Sequence, residues 1–257
     1  MGSAQRRETI LAHVRNLGGY ATVGDLARLT GVSPITIRRD ANELMATGAV
    51  ERSRGAIRLL DRGGVMLEPS FLRRSASSFQ AKQAIAVAAA ARVRPGSTIA
   101  IDTGTTTLAF SQQLTAVESL IVVTSSLVVA TQTADRHTVH VLAGRVRPDE
   151  LSVVGPQATA SARDLFLDQV FLGAAGVSES VFDYSLDDAY TKRALIAQAQ
   201  EVVLLCDASK FDERAAAFVC DLETISTLVT DAPPSAQLGR RLNRAGVEIV
   251  IAPREKS

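Results

Sequence analysis

From residue 97 onward, short runs rich in Val, Ile, Leu and Thr recur with longer amphipathic stretches between them: STIAID, LIVVTSS, TVHVLAG, QVFLGAAG, VVLLCD, TLVTD and VEIVIA. A strand buried on both faces reads as an almost continuous apolar run, so this alternation predicts a mainly parallel sheet covered by helices. In such a sheet, ligands bind where strands end and loops begin. The stretch IAIDTGTTTLAF sits at such a place, with a strand over STIAID and a helix starting directly after Gly104. Backbone N–H groups at that helix start, with the hydroxyls of Thr105, Thr106 and Thr107, suit the oxygens of a phosphate. A threonine-capped strand-to-helix turn with no ligand reads the same way. The loop is neither a P-loop nor a Gly-x-Gly-x-x-Gly turn.

The first part of the chain has another character. Residues 1 to 62 carry ten arginines, no lysine and six carboxylates, a net charge of +4, while the other 195 residues carry 18 basic and 21 acidic side chains, a net of −3. A basic head on a mildly acidic body fits a module that meets a polyanion. Ile10, Val14 and Leu17 fall at helical spacing before Gly18-Gly19. Thr22-Val23-Gly24-Asp25 then matches a Thr-x-x-Asp cap, and Ser33-Pro34 supplies a hydroxyl N-cap followed by proline at the first helical position. In this third helix Ile37, Ala41, Leu44 and Met45 form one apolar stripe. Arg39 lies opposite the stripe with Ile35 and Thr36 nearby, and Arg38 sits on the flank. An arginine, a threonine and an aliphatic group at a helix N-terminus suit a major groove. The competing reading is a surface ion pair between Arg39 and Glu43. Next, AVERSRGAIRLL reads as two strands about Arg54-Gly55, a wing whose Arg52, Arg54 and Arg58 would meet backbone phosphates.

The segments VSPITIRRDANEL and GAVERSRGAIRL resemble the signature of the DeoR family of bacterial transcriptional regulators, and Asp102-Thr103-Gly104-Thr105-Thr106-Thr107 is similar to the Asp-Ser-Gly-Thr-Thr loop of that family's sensor domain. Further family-like positions are Lys82 in KQAIAVAAA, VTSS, LAGR, FLGAAGV, Tyr190-Thr191-Lys192-Arg193 and Asp207-Ala208-Ser209-Lys210-Phe211. The resemblance spans about residues 6 to 231. It implies a winged helix-turn-helix followed by a Rossmann-like α/β domain similar to sugar-phosphate isomerases. The expected boundaries are 1–60 for the head, 61–80 for a linker and 81–257 for the effector domain.

The chain departs from the family at Ala41 (usually leucine), at the wing Ser53-Arg54-Gly55-Ala56, at Ser125 (usually asparagine) and at Ala143-Gly144 (usually Gly-Gly). On this resemblance the DNA-binding residues are Ser33, Pro34, Ile35, Thr36, Arg38, Arg39, Arg52 and Arg54. The effector-binding residues are Lys82, Asp102, Gly104, Thr105, Thr106, Thr107, Ser125, Gly144, Lys192, Asp207 and Lys210. For Lys192 the alternative is a solvated helix face after the Ser185-x-x-Asp188 cap, and for Asp207 it is a cap on the Ser209 turn.

The implied function is a repressor of a carbohydrate operon, controlled by a phosphorylated sugar, binding a duplex operator as a homodimer or homotetramer. The alternative is an isomerase-like enzyme with a DNA-binding head. Proton transfer between sugar carbons needs a poised carboxylate or imidazole. LGAAGVSES has no acid before Glu179 and no histidine, leaving Asp183, Asp187 and Asp188 as the candidates. A third possibility is a purely architectural DNA-binding protein. His137 and His140 stand on a strand start without a nearby cysteine, so neither metal nor cofactor is expected. Cys206 and Cys220 read as buried thiols, and no apolar run approaches the roughly 18 to 20 residues of a membrane helix, which together point to the cytoplasm.

Overall fold

The computed structural model describes residues 3–16, 20–46, 50–53, 56–59, 68–69, 71–148 and 150–253. The chain divides into two compact units, residues 1–70 and 71–257.

The smaller unit contains α1 (Ser3–Asn16), β1 (Tyr20–Thr22), α2 (Val23–Thr30), α3 (Pro34–Ala46), β2 (Val50–Ser53) and β3 (Ala56–Leu59). Thr22 and Asp25 form a reciprocal capping box at the start of α2, and Gly31 ends it in the left-handed conformation at φ 69°. Ser33 Oγ accepts from the Thr36 N–H at 3.3 Å, as its N-cap position before Pro34 demands. Ile10 and Val14 of α1, Leu26 of α2, and Ile37, Ala41 and Leu44 of α3 close on Val50 and Ile57 in one core. The two wing strands pair antiparallel as expected, and β1 adds a third strand on β3. Three residues are too few to show a strand period in sequence.

The larger unit opens with α4 (Phe71–Ala76) and α5 (Phe79–Ala90). Of the residues read from sequence as connection, 71–76 and 79–80 thus form helix within this unit with a turn at 77–78, while 61–67 and 70 lie outside the described residues. There follow β4 (Thr98–Ile101), α6 (Thr105–Gln112), β5 (Ile121–Thr124), α7 (Leu127–Thr133), β6 (Thr138–Val141), β7 (Arg145–Arg147), β8 (Ser152–Val154) and α8 (Pro156–Ala162). The chain continues through β9 (Leu167–Gly173), β10 (Gly176–Val177), β11 (Ser180–Asp183), α9 (Leu186–Ile196), β12 (Ala199–Leu205), β13 (Ala217–Asp221), β14 (Thr227–Thr230), α10 (Ala236–Arg244) and β15 (Glu248–Ile251).

All the apolar runs quoted above enter one seven-stranded sheet in the order β15-β14-β12-β9-β4-β5-β6, and every pairing in it is parallel. Successive side chains point to opposite faces, so Ile99 and Ile101 join Phe171, Val203 and Leu205 under α5 and α6, while Ala100, Val170, Leu172 and Leu204 meet α8, α9 and α10. Phe110 of α6 stacks on Phe171 of β9 with ring centroids 4.2 Å apart. Each fully buried Ile, Leu or Phe here contributes about 1.5–3 kcal/mol. Two small antiparallel sheets, β7-β8 and β10-β11-β13, complete the unit.

Candidate functional site

In the smaller unit, the apolar stripe of α3 fixes what its opposite face presents. Ile37 is fully buried and Ile35 is 74% exposed, with Ser33, Pro34, Arg38 and Arg39 also exposed and Thr36 half-buried. Asp40 is buried and accepts from Arg6 at 2.5 and 3.0 Å, which ties α3 to α1. Glu43, the partner considered for Arg39, instead accepts from Arg7 at 3.4 Å. Arg39 has no partner among the described residues. The α3 N-terminus therefore offers two guanidinium groups, an apolar side chain and hydroxyls to a ligand, the set that reads base edges and phosphates in a major groove. Arg54 lies outside the described residues, as do the side chains of Arg52 and Arg58.

In the larger unit, the chain runs from β4 through β5 to β6 on one side, and β9, β12, β14 and β15 fill the other. The order reverses between β4 and β9, and the crevice beyond their C-terminal ends is the ligand position of an open α/β sheet. The residues at these ends come from adjacent strands: Asp231 after β14, Asp207 after β12, Gly173 ending β9, Asp102 after β4, Ser125 after β5 and Gly144 beyond β6. Gly104 has φ 144° and ψ 165°, a backbone shape that only glycine adopts readily, and it opens α6 with no side-chain cap. Thr105 is half-buried. Thr106 and Thr107 are buried, and the Thr107 hydroxyl donates to the Gly104 carbonyl at 3.0 Å. Thr103 Oγ1 is buried and has no partner among the described residues.

Lys192 reaches this crevice from α9 and is 2% exposed. Its ammonium donates at 2.6 Å to Asp102 Oδ2, at 2.6 Å to Asp183 Oδ2 and at 2.7 Å to the Gly173 carbonyl, so all three N–H donors are taken. Asp102 Oδ2 also accepts from the Gly173 N–H at 3.0 Å. Burial works against the Lys192 charge, but the two carboxylates outweigh it and hold the ammonium above its ordinary range. Ser185 caps α9 as the sequence indicates, yet Lys192 lies on the buried face of that helix, not on the solvated one.

Two further lysines stand near the strand ends. Lys82 is buried on α5 and donates to the carbonyls of Arg74 and, at 2.8 Å, Ser77. Lys210 is half-buried and donates to Tyr184 Oη at 3.4 Å. Asp207 caps the turn that follows it, accepting from the Ser209 N–H at 3.1 Å. A Cβ at Gly144 (φ 148°) would stand 2.7 Å from the Val154 carbonyl, so this glycine is required by the close approach of β8.

The three carboxylates considered for proton transfer are all engaged. Asp183 accepts from Lys192 and from the N–H groups of Tyr184 and Ser185, Asp187 pairs with Arg145 at 2.9 Å, and Asp188 pairs with Arg147 at 2.9 Å. Thr103 and Tyr184 escaped the sequence reading. The flanking position of Thr103 in the Asp-Thr-Gly-Thr loop was the one available signal, and nothing in sequence marks Tyr184.

Comparisons with known proteins bear on both units. Residues 6–62 match the DeoR-like helix-turn-helix domain, and residues 77–232 match the DeoR C-terminal sensor domain. The uncharacterized HTH-type transcriptional regulator YgbI of Escherichia coli K12 is 34% identical over 98% of this chain and 98% of its own length. The HTH-type transcriptional repressor CsqR of the same strain is 30% identical over 91% of this chain and 90% of its own. The glycerol-3-phosphate regulon repressor of that strain is 29% identical over 98% and 100%. With a head and a sensor domain both matched and relatives aligned almost end to end, this chain belongs to the DeoR family of transcriptional regulators.

Proposed function

We propose that this regulator is a repressor of a carbohydrate operon whose larger unit binds a phosphorylated sugar in the crevice beyond β4 and β9. The observation that carries this is the start of α6 at Gly104, which has no side-chain cap, with the buried hydroxyl of the preceding Thr103 lacking a partner among the described residues. Unsatisfied buried donors are costly, and a phosphate supplies the missing acceptors. Backbone groups at Gly104, Thr105 and Thr106 hold the phosphate, with Lys82 and Lys210 supplying charge. Asp207 and Ser125 face the sugar end. Asp102, Lys192 and Gly144 position the backbone around the ligand, because their own bonds and contacts are internal.

In the head, Arg38 and Arg39 with Ile35 and Thr36 read a duplex operator, Ser33 and Pro34 set the helix start, and Arg52 and Arg54 grip backbone phosphates. One such head is a small interface. Useful specificity comes from pairing heads on a repeated or palindromic site, as a homodimer or homotetramer in the cytoplasm. The ligand acts by favouring one arrangement of heads, with an effect bounded by its difference in affinity for the two.

The test is fluorescence anisotropy of the full chain on DNA from upstream of its own gene, with and without phosphorylated sugars. At least one sugar phosphate should shift the DNA affinity. Binding that is indifferent to all of them, with no thermal stabilisation by any, fits an architectural protein and contradicts the proposal.

A further inference from the structure

The Lys82 side chain spans the corner between α4 and α5. Ser78, the residue before α5, has φ 51° and gives that helix no side-chain cap. Lys82 reaches back from the first turn of α5 and donates to the carbonyls of Arg74 and Ser77 at the end of α4, where the Ser77 hydroxyl also donates to the Arg74 carbonyl at 3.0 Å. The Arg74 guanidinium in turn pairs with Glu150, which is 3% exposed. Helix α4 is thus fastened through its backbone by Lys82 and through a side chain by Glu150. It is also the segment at which the chain, coming from the head, enters the larger unit.

The Lys82 side chain has unused capacity. It is 5% exposed, its ammonium has three N–H donors, and among the described residues it has two acceptors. A buried charged donor without an acceptor is costly, so the third N–H is a place for a ligand oxygen. Asp207 and Lys210, at the strand ends of the crevice, and Arg74 of α4 are the charged groups that act electrostatically on this ammonium. We propose that Lys82 is a positioning residue through which the bound anion acts on α4: an anion oxygen takes its third N–H, and the completed ammonium locks the α4–α5 corner through the carbonyls of Arg74 and Ser77. This rests on the anion site at the start of α6 and adds the route by which occupancy reaches the segment leading to the head.

Hydrogen–deuterium exchange of the full chain, with inorganic phosphate as the probe, separates the two ideas. Phosphate should slow exchange several-fold both at residues 104–108 and at residues 71–80. In Lys82→Met the slowing at 104–108 persists at higher phosphate while the slowing at 71–80 disappears. Lys82→Gln keeps an amide donor for the corner but no charge, and it should also lose the response at 71–80. Slowing at 104–108 without slowing at 71–80 in the wild type overturns the role of Lys82 and leaves the anion site standing, as does a response at 71–80 that survives in both variants. No slowing at 104–108 removes the anion site, and the inference goes with it.

Discussion

The Lys192 ammonium lies 2.6 Å from Asp102 Oδ2 with both side chains 2% exposed, joining α9 to the strand end where the sheet order reverses. Asp183 completes the cluster from β11, nine residues before Lys192, so a carboxylate next to α9 in sequence and one distant from it, Asp102, converge on one buried cation.

Lys192→Met should therefore act on stability first. It leaves two carboxylates buried without their cation, a loss of about 3–5 kcal/mol by the usual cost of breaking a buried pair from one side. Urea denaturation of the larger unit reads this directly. Asp102→Asn added to Lys192→Met should recover part of the loss, because the two changes share one interaction. A Lys192→Met chain as stable as the wild type would mean that the cluster does not hold the crevice together.

Gly104→Ala tests the backbone shape that opens α6. A side chain at φ 144° is strained by about 1–3 kcal/mol, and the chain relieves that strain by turning the helix start away from its present direction. Thermal melting should fall modestly, and stabilisation by phosphorylated sugars should vanish. Retained stabilisation would place the anion elsewhere.

On α3, Arg39→Ala should cost about 1–3 kcal/mol on the preferred duplex and relax the base preference at one position. Selection from a random duplex pool, followed by binding titrations, measures both. Equal losses on selected and random DNA would assign Arg39 to phosphate contact alone.

Lys82 sets a pH dependence. Burial pushes its ammonium down to about 8; Asp207 opposes this, while Lys210 and Arg74 add to it. An anion binds the protonated form, so phosphate affinity should fall as pH rises through about 8, by up to about tenfold per unit. For the free protein the sign is opposite. Between about 8 and the ordinary value of 10.5 the unfolded chain holds more protons at this site, so folding stability from Lys82 rises with pH across that window. Calorimetry in phosphate-free buffers from pH 7 to 9.5 separates the two, and a flat affinity profile in the wild type would contradict the assignment.

Local chemistry made much of the fold legible in the sequence. The Thr22 and Ser33 caps, the α3 stripe and the apolar runs of the large sheet each depend on residues within a turn or a strand of one another. The strands β7, β8, β10, β11 and β13 depend on partners outside their own short spans, so no period announces them. The site divides in the same way. Asp102 and Gly104 are visible as a strand-to-helix loop, whereas the burial of Lys192 follows from Asp183 and Gly173 arriving through tertiary packing. A lysine behind a helix cap looks solvated until its partners are known.

Whether the Gly104 end of α6 receives an anionic metabolite is decided by isothermal titration of the full chain with a panel of phosphorylated sugars. At least one sugar phosphate should bind saturably to the wild type, more weakly to Lys82→Met and not at all to Gly104→Ala. Binding of equal strength in all three chains, or no binding of any phosphorylated sugar by the wild type, would contradict an anion site at Gly104.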